Sequence, residues 1–403
     1  MNKEVTAMFS EEINVILARK EPIIGDKKIM FSFNGDFMSI SEDEICGYKN
    51  IKLFTTDELI KNSLATPAFV QIQITNRCNM RCEHCYVSPD KSTLSEMNNR
   101  QIMGLLDRLQ RKGVLIIQWV GGEVFVKKGF VNLIRYANRL GFEQSILSNG
   151  IFFGKTKNIK LVEEIWKYCY GIQISVNSYG DKYNLFTGGK KFWNSLVSGI
   201  KLLSKTKPID AKLYTATIAR KENLKQLENI VIKFGDYVDF FRVGKEIPMG
   251  RSSISQEDSI EALKLSWPII NNLRKKYGVM ITHPFDKYDF DQNEILPSVF
   301  KTDSGARIFM YISVTGDCYP FPLLLKFPEY NGGNIFKKSI LEIWKSEAFS
   351  MYRNVTRSDT GCGNCNKVCQ LQSRYHFIYN GKVHLYEKPF PHHGCPIGQR
   401  FNN

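Results

Sequence analysis

Phe69-Val-Gln-Ile-Gln-Ile-Thr75 alternates in the manner of a half-buried strand and runs directly into Asn76-Arg77-Cys78-Asn79-Met80-Arg81-Cys82-Glu83-His84-Cys85-Tyr86. Three thiols, spaced four and three residues apart, share one short loop at the end of that strand. Sulfur at this density ligates soft metal. A zinc ion would want a fourth ligand and a closed tetrahedron, and the nearest candidate, His84, is cramped inside the triplet. A four-iron cubane on three thiolates instead leaves one iron open to another ligand.

From 67 to 280, strands and helices alternate. Ile102, Leu105, Leu106 and Leu109 fall on one helical face that ends at Gly113. Val114-Leu-Ile-Ile-Gln-Trp-Val120 is nearly continuous in apolar residues, as a strand covered on both faces requires. Further strands are expected at 145–147, 171–176, 213–218 and 238–243. Between them lie helices marked by Phe130, Leu133, Ile134 and Ala137; by Leu161 and Ile165; by Phe192, Leu196, Ile200 and Leu203; and by Leu224, Leu227, Val231 and Phe234. Six β/α units make an α/β fold of the partial (β/α)6 TIM-barrel type, closed by an outer helix over 256–277 that Pro268 is expected to kink. A small N-terminal segment (1–66) precedes it, with a hairpin turning at Asn34-Gly35 and a capped helix beginning near Thr56.

Polar and glycine residues collect where strands end. The first strand ends at the cysteine loop, the second at Gly121-Gly122-Glu123, the third at Ser148-Asn149-Gly150, the fourth at Ser175-Val176-Asn177 and the sixth at Arg242-Val243-Gly244. Parallel barrels build their sites at these carboxyl ends. The glycines permit close backbone approach, and Glu123 is suited to an ammonium group. Helix capping competes as a role for Ser148, and a buried ion pair for Arg242.

Cys-x3-Cys-x2-Cys followed by Tyr86 resembles the cluster loop of radical S-adenosylmethionine (SAM) enzymes. The resemblance implies a [4Fe-4S] cluster on Cys78, Cys82 and Cys85, whose open iron takes SAM and whose electron breaks it to a 5'-deoxyadenosyl radical. It further implies that Gly121-Gly122-Glu123 holds the methionyl amine, although Val124 stands where the family has proline. Tyr86, Ser148, Asn149, Ser175, Asn177 and Arg242 become candidates for the remaining cofactor contacts, with Asn177-Ser178 standing where relatives have Asp-Gly. Phe241-Arg-Val-Gly-Lys-Glu-Ile-Pro-Met-Gly-Arg251 is similar to the sixth-strand stretch of sactipeptide maturases such as that of sporulation killing factor.

Residues 281–403 change character, with more turns, glycine and cysteine. Arg307–Ser313 and Cys318–Phe321 read as a hairpin about Thr315-Gly316-Asp317, and Ser339–Trp344 as a helix. Cys362, Cys365, Cys369 and Cys395 follow, in an order that resembles the SPASM or twitch extension of the same enzymes, which carries auxiliary iron–sulfur clusters. Phe321 occupies the place of one cluster cysteine, and another is missing after Asn334, so one auxiliary [4Fe-4S] cluster on the four remaining thiols is expected. Zinc at these four competes. Cys318 points to the opposite strand face from Phe321. It reads as a core residue, with hydrogen-atom donation as its alternative role.

The N-terminus carries acids where a signal peptide has bases, and no apolar run reaches the length of a membrane span, so a cytoplasmic protein is expected. There, ten cysteines argue for metal rather than disulfides. The net charge of +15 is dispersed, which favours solubility over a dedicated nucleic-acid surface. The function expected is radical modification of a ribosomally made precursor peptide, by a thioether or other crosslink, with a flavodoxin- or ferredoxin-like reductant as second partner. The competing readings are a peptide epimerase using Cys318, an RNA-modifying radical enzyme, and a non-catalytic zinc protein that binds nucleic acid.

Overall fold

The computed structural model describes residues 66–67, 69–87, 95–188, 191–284, 305–306 and 309–354, with the backbone of four short strands at Val5–Thr6, Ile51–Lys52, His376–Tyr379 and Lys382–Leu385. The hairpin expected about Asn34-Gly35, the helix near Thr56, and Cys362, Cys365, Cys369 and Cys395 lie outside the described residues.

Six parallel strands follow the expected order: β1 (Phe69–Gln73), β2 (Ile116–Val120), β3 (Glu143–Ser148), β4 (Gly171–Ser175), β5 (Lys212–Ala219) and β6 (Phe240–Lys245). A two-residue strand β7 (Ile281–Thr282) extends the sheet beyond β6. On the other side β8 (Phe309–Ile312) pairs in parallel with β1, from Phe309↔Phe69 to Ile312↔Ile72. Antiparallel β9 (Asp317–Tyr319) and β10 (Gly333–Asn334) follow at that edge. The expected C-terminal hairpin is therefore present, and it continues the barrel sheet instead of standing apart. The ring of Phe321 lies 6.0 Å from that of Phe309, an apolar contact at the place of the missing cysteine.

Directly opposed residues share a sheet face, so register divides inside from outside. Gln71, Gln118 and Ser145 align on the lumen face, with Gln71 Nε2 donating to Gln118 Oε1 at 2.6 Å and Gln118 Nε2 to Ser145 Oγ at 3.2 Å. Ile72, Trp119 and Ile146 align on the other face and are fully buried beneath the helices.

The first outer helix, α1 (Asn99–Arg111), shows why these segments form helices. Asn98 and Gln101 make a capping box at its start, and Ile102, Leu105, Leu106 and Leu109 are its buried stripe. Each of the four stabilises by roughly 2 kcal/mol on burial. Gly113, at φ +82°, turns the chain toward β2. Between β2 and β3 lies α2 (Phe130–Arg139); α3 (Ile151–Lys155) and α4 (Ile159–Tyr168) precede β4; α5 (Asp181–Phe186) and α6 (Trp193–Thr206) precede β5; α7 (Leu227–Phe234) precedes β6. On α4 the buried set is Val162, Ile165 and Trp166, with Leu161 only half-buried, one position off the expected face. Helix α8 (Gln256–Tyr277) runs through Pro268 for 22 residues.

Helices α3 and α6 touch through glycines. A Cβ on Gly154 would overlap the Ser195 carbonyl, and one on Gly199 would meet Gly150 O at 2.5 Å. Neither obstacle is a movable side-chain tip. Gly154→Ala is therefore expected to cost about 3 kcal/mol of stability by overpacking, measurable as a lowered urea midpoint at unchanged slope.

Candidate active site

The cysteine loop leaves β1 under several backbone restraints. Glu96 accepts from the Asn76 N–H at 2.7 Å and from the Thr75 hydroxyl at 3.0 and 3.1 Å, which sets the direction of exit. Gly122 N donates to Thr75 O at 2.8 Å and Glu123 N to Arg77 O at 2.9 Å, joining the loop to the end of β2. A Cβ on Gly122 would overlap the Arg77 carbonyl, so only glycine permits this approach. On the far side Arg81 N and Glu83 N donate to Thr187 O and Phe186 O at the end of α5.

Cys78, Cys82 and Cys85 are in no disulfide and are half-buried. Burial raises Cys78 to about 11 and Cys82 to about 12, reinforced by repulsion among the three thiolates and opposed by the Arg251 guanidinium. They share one electrostatic field, yet among the described residues no three His, Cys, Asp or Glu side chains converge as on a single ion.

Glu123 is 3% exposed. Its carboxylate accepts from Ser148 Oγ at 2.9 Å, Asn149 N at 2.7 Å and Phe125 N at 3.2 Å, yet burial outweighs these bonds and pushes its pKa up to about 7. The loop at the end of β3 thus positions Glu123: Ser148 and the Asn149 backbone serve it, while the Asn149 amide donates to Asn79 Oδ1 of the cysteine loop at 2.7 Å.

Asn177 is tied down at both ends of its amide. Its Oδ1 accepts from Ile218 N at 2.8 Å, and its Nδ2 lies 3.3 Å from His84 Nε2. His84 stacks on Phe186 at 4.9 Å, and burial together with Arg220 and Arg251 lowers its pKa to about 4, leaving a neutral ring held by packing. Ser175 and Arg242 lie at the lumen end in register with Ala216, Arg242 being exposed. The Tyr86 phenol is raised by burial and by Cys85.

Cys318 is elsewhere. It pairs in register with Ile312, itself opposite Ile72, which puts its side chain on the face away from Gln71 and Gln118. It is fully buried, and burial raises its thiol far above the usual range. Of the two roles weighed for Cys318, its burial on the sheet face away from the lumen glutamines favours the core residue over the hydrogen donor. Cys318→Ala is expected to cost about 1 kcal/mol of stability and to leave the reaction product unchanged by mass spectrometry.

The residues not singled out from sequence were Glu96, Arg220, Glu246, Gly250 and Arg251. Arg220 bonds Glu83 at 3.0 Å and Glu246 at 2.8 Å across the loop. Four of the five follow β5 or lie in the stretch through Arg251, where a cluster of charge and glycine beyond a strand end was the available signal.

Residues 72–233 match the Radical SAM superfamily, and residues 305–367 match the SPASM iron-sulfur cluster-binding domain. The antilisterial bacteriocin subtilosin biosynthesis protein AlbA of Bacillus subtilis is 30% identical over 343 residues, covering 78% of this chain and 70% of AlbA. The chain belongs to the radical SAM superfamily. The sporulation killing factor maturation protein SkfB of Bacillus subtilis is 24% identical over 283 residues, 69% of this chain. The match spans 64% of SkfB, less than two thirds of its length. The fold is shared with Streptococcus suis SuiB bound to its precursor peptide SuiA, at a TM-score of 0.61 and 17% identity over 87% of this chain and 78% of that one. As a radical SAM protein with a SPASM extension it takes a [4Fe-4S] cluster with SAM, plus an auxiliary iron–sulfur cluster. Membership leaves the non-catalytic zinc scaffold without support. The described residues fit the SAM cluster: three thiols on one loop, none of them in a disulfide, glycines that let that loop lie directly against the end of β2, and a buried Arg251 Nη1 that lacks a hydrogen-bond partner. No helix among the described residues is long and apolar enough to cross a membrane.

Proposed function

We propose that the protein is a peptide-modifying radical SAM enzyme, a maturase acting on a ribosomally synthesised precursor and forming a thioether or other crosslink. The observation that carries this is the joining of the thiol loop to a buried, hydrogen-bonded Glu123 at the mouth of the barrel. The peptide substrate is supported by two peptide-maturing relatives and by the fold shared with SuiB bound to SuiA.

In this reading Cys78, Cys82 and Cys85 hold the SAM cluster, and Cys362, Cys365, Cys369 and Cys395 the auxiliary one. When bound, cluster and cofactor supply a 5'-deoxyadenosyl radical, and the hard chemistry is theirs. The chain's own part is to orient and protect. Gly121 and Gly122, which let the thiol loop close on the end of β2, would offer backbone to the cofactor, ionised Glu123 would pair with its ammonium, and Ser175, Arg242 and Tyr86 would serve the rest of it. Ser148, Asn149 and Asn177 hold those groups and the loop in register. A neutral wall of Gln71, Gln118 and Ser145 lines the lumen below, and the other described thiols, Cys169 and Cys318, are buried away from it. The electron comes from a flavodoxin- or ferredoxin-like protein.

The test is anaerobic incubation with SAM, reductant and short candidate precursor peptides. Release of 5'-deoxyadenosine together with a loss of two hydrogens from the peptide supports the proposal. Release of 5'-deoxyadenosine with no change in any candidate peptide, alongside modification of RNA, would replace it.

A further inference from the structure

Nearly all of the Phe241–Arg251 stretch lies outside the chemistry assigned above, and its last residues fold back onto the cysteine loop. Gly250, at φ +69°, is pressed so closely that a Cβ would overlap the Cys85 and Tyr86 carbonyls. Arg251 then bonds the loop twice, its backbone N–H donating to Cys85 O at 3.0 Å and its Nε to Cys82 O at 2.9 Å. Five residues earlier Glu246, whose side chain is wholly buried, reaches the loop through Arg220 and Glu83. Ser252 Oγ donates to Glu246 at 2.6 Å and fixes its rotamer. The segment is thus a clasp, with an always-charged guanidinium at its tip.

One atom of that tip is unused. Arg251 Nη1 is buried and has no hydrogen-bond partner, and a buried donor left unpaired keeps its full desolvation cost. Such a cost at the edge of a ligand loop marks a place for an anion. The negative charge that a cluster on Cys78, Cys82 and Cys85 would bring to this loop is that of its sulfur. A hydrogen bond and a full positive charge at cluster sulfur favour the form holding one more electron, because hydrogen bonds to the sulfurs and net charge set such potentials.

We infer that Arg251 is a tuning residue for the SAM cluster: its free Nη1–H donates to cluster sulfur and raises the cluster's reduction potential, while its other two donors hold the loop closed. The inference rests on these three cysteines carrying the cluster, and it does not depend on which substrate is modified.

Arg251→Gln and Arg251→Lys are reconstituted anaerobically, assayed for iron and sulfide, and titrated at a mediator-poised electrode with dithionite as electron source. The paramagnetic signal that responds to SAM identifies the cluster read. Arg251→Gln is expected to shift the midpoint to lower potential with iron content unchanged, and Arg251→Lys to recover part of the shift. Weaker SAM binding in Arg251→Gln at an unchanged midpoint would overturn the inference, since the guanidinium would then serve the cofactor's carboxylate. If the glutamine variant loads no cluster while the lysine variant does, a positive charge is needed to hold cluster sulfur, which supports it. If both fold by circular dichroism but neither loads iron, the two carbonyl bonds account for Arg251 and the inference fails. Loss of the signal in a Cys82→Ala control is what separates these outcomes from a wrong assignment of the cluster itself.

Discussion

Cys82→Ser is expected to bring 5'-deoxyadenosine release down to that of the reductant blank. Three thiolates are the minimum that hold a cubane while leaving one iron open, and this loop has three. A serine oxygen is a hard ligand that poorly replaces soft sulfur at iron. Among the described residues no substitute stands near: Cys169 and Cys318 are fully buried, and His84 is held between Phe186 and Asn177. The loop itself should survive, because its course is set by backbone bonds to Thr187, Phe186 and Arg251 and not by the Cys82 sulfur. The measurements are iron per chain, the paramagnetic signal that SAM perturbs, and far-ultraviolet circular dichroism. A folded variant with the auxiliary iron retained, the SAM-responsive signal gone and no 5'-deoxyadenosine is the expected result. Retained cofactor cleavage would show that the cluster sits elsewhere.

That loop was legible from sequence because its chemistry is local: three thiols in eight residues need no tertiary knowledge to imply a cluster. The six parallel strands were legible for a related reason. Alternation in β1 and near-continuous apolar character in β2 report burial directly, and the helix with Ile102, Leu105, Leu106 and Leu109 reports one covered face. What the pattern could not convey was pairing. Phe309–Ile312 reads as a hairpin strand whatever it borders, and only the structure shows it parallel to β1, joining the C-terminal hairpin to the barrel. Asn177 and Ser148 were readable as polar groups at strand ends but not as scaffolding, since their partners Ile218, His84 and Glu123 are 25 or more positions away. Arg220 and Arg251 were hidden in the dispersed positive charge, and Glu246 among the chain's other acids. Their importance comes from burial, and a charged residue destined for burial looks the same in sequence as one bound for water.

Glu123 ties that buried electrostatics to an observable pH dependence. Its ordinary value of 4.5 is raised to about 7 by burial, against the pull of its three hydrogen bonds. For an acid raised in the folded state, the protonated form is the better tolerated one. Without cofactor, Glu123 therefore makes the protein lose stability as pH rises from about 4.5 to about 7, with little further change above. Cofactor binding has the opposite sign. An ammonium pairs with the carboxylate and not with the neutral acid, so this contribution is full above about 7 and fades as pH falls through it. Between pH 8 and pH 6 the ionised fraction drops by about tenfold, and SAM affinity is expected to weaken by about the same factor. Glu123→Gln removes the charge at every pH and turns an N–H toward the Asn149 N–H that now donates to the carboxylate. Its SAM affinity should fall at pH 8 by about 100-fold, the scale of a buried charge-assisted bond of roughly 3 kcal/mol, and the decline toward pH 6 should vanish. Titrating the SAM-dependent change in the cluster signal at several pH values reads both effects. A glutamine variant that binds SAM as wild type does at pH 8 would remove Glu123 from the cofactor's ammonium and return it to a purely structural place beneath Asn149.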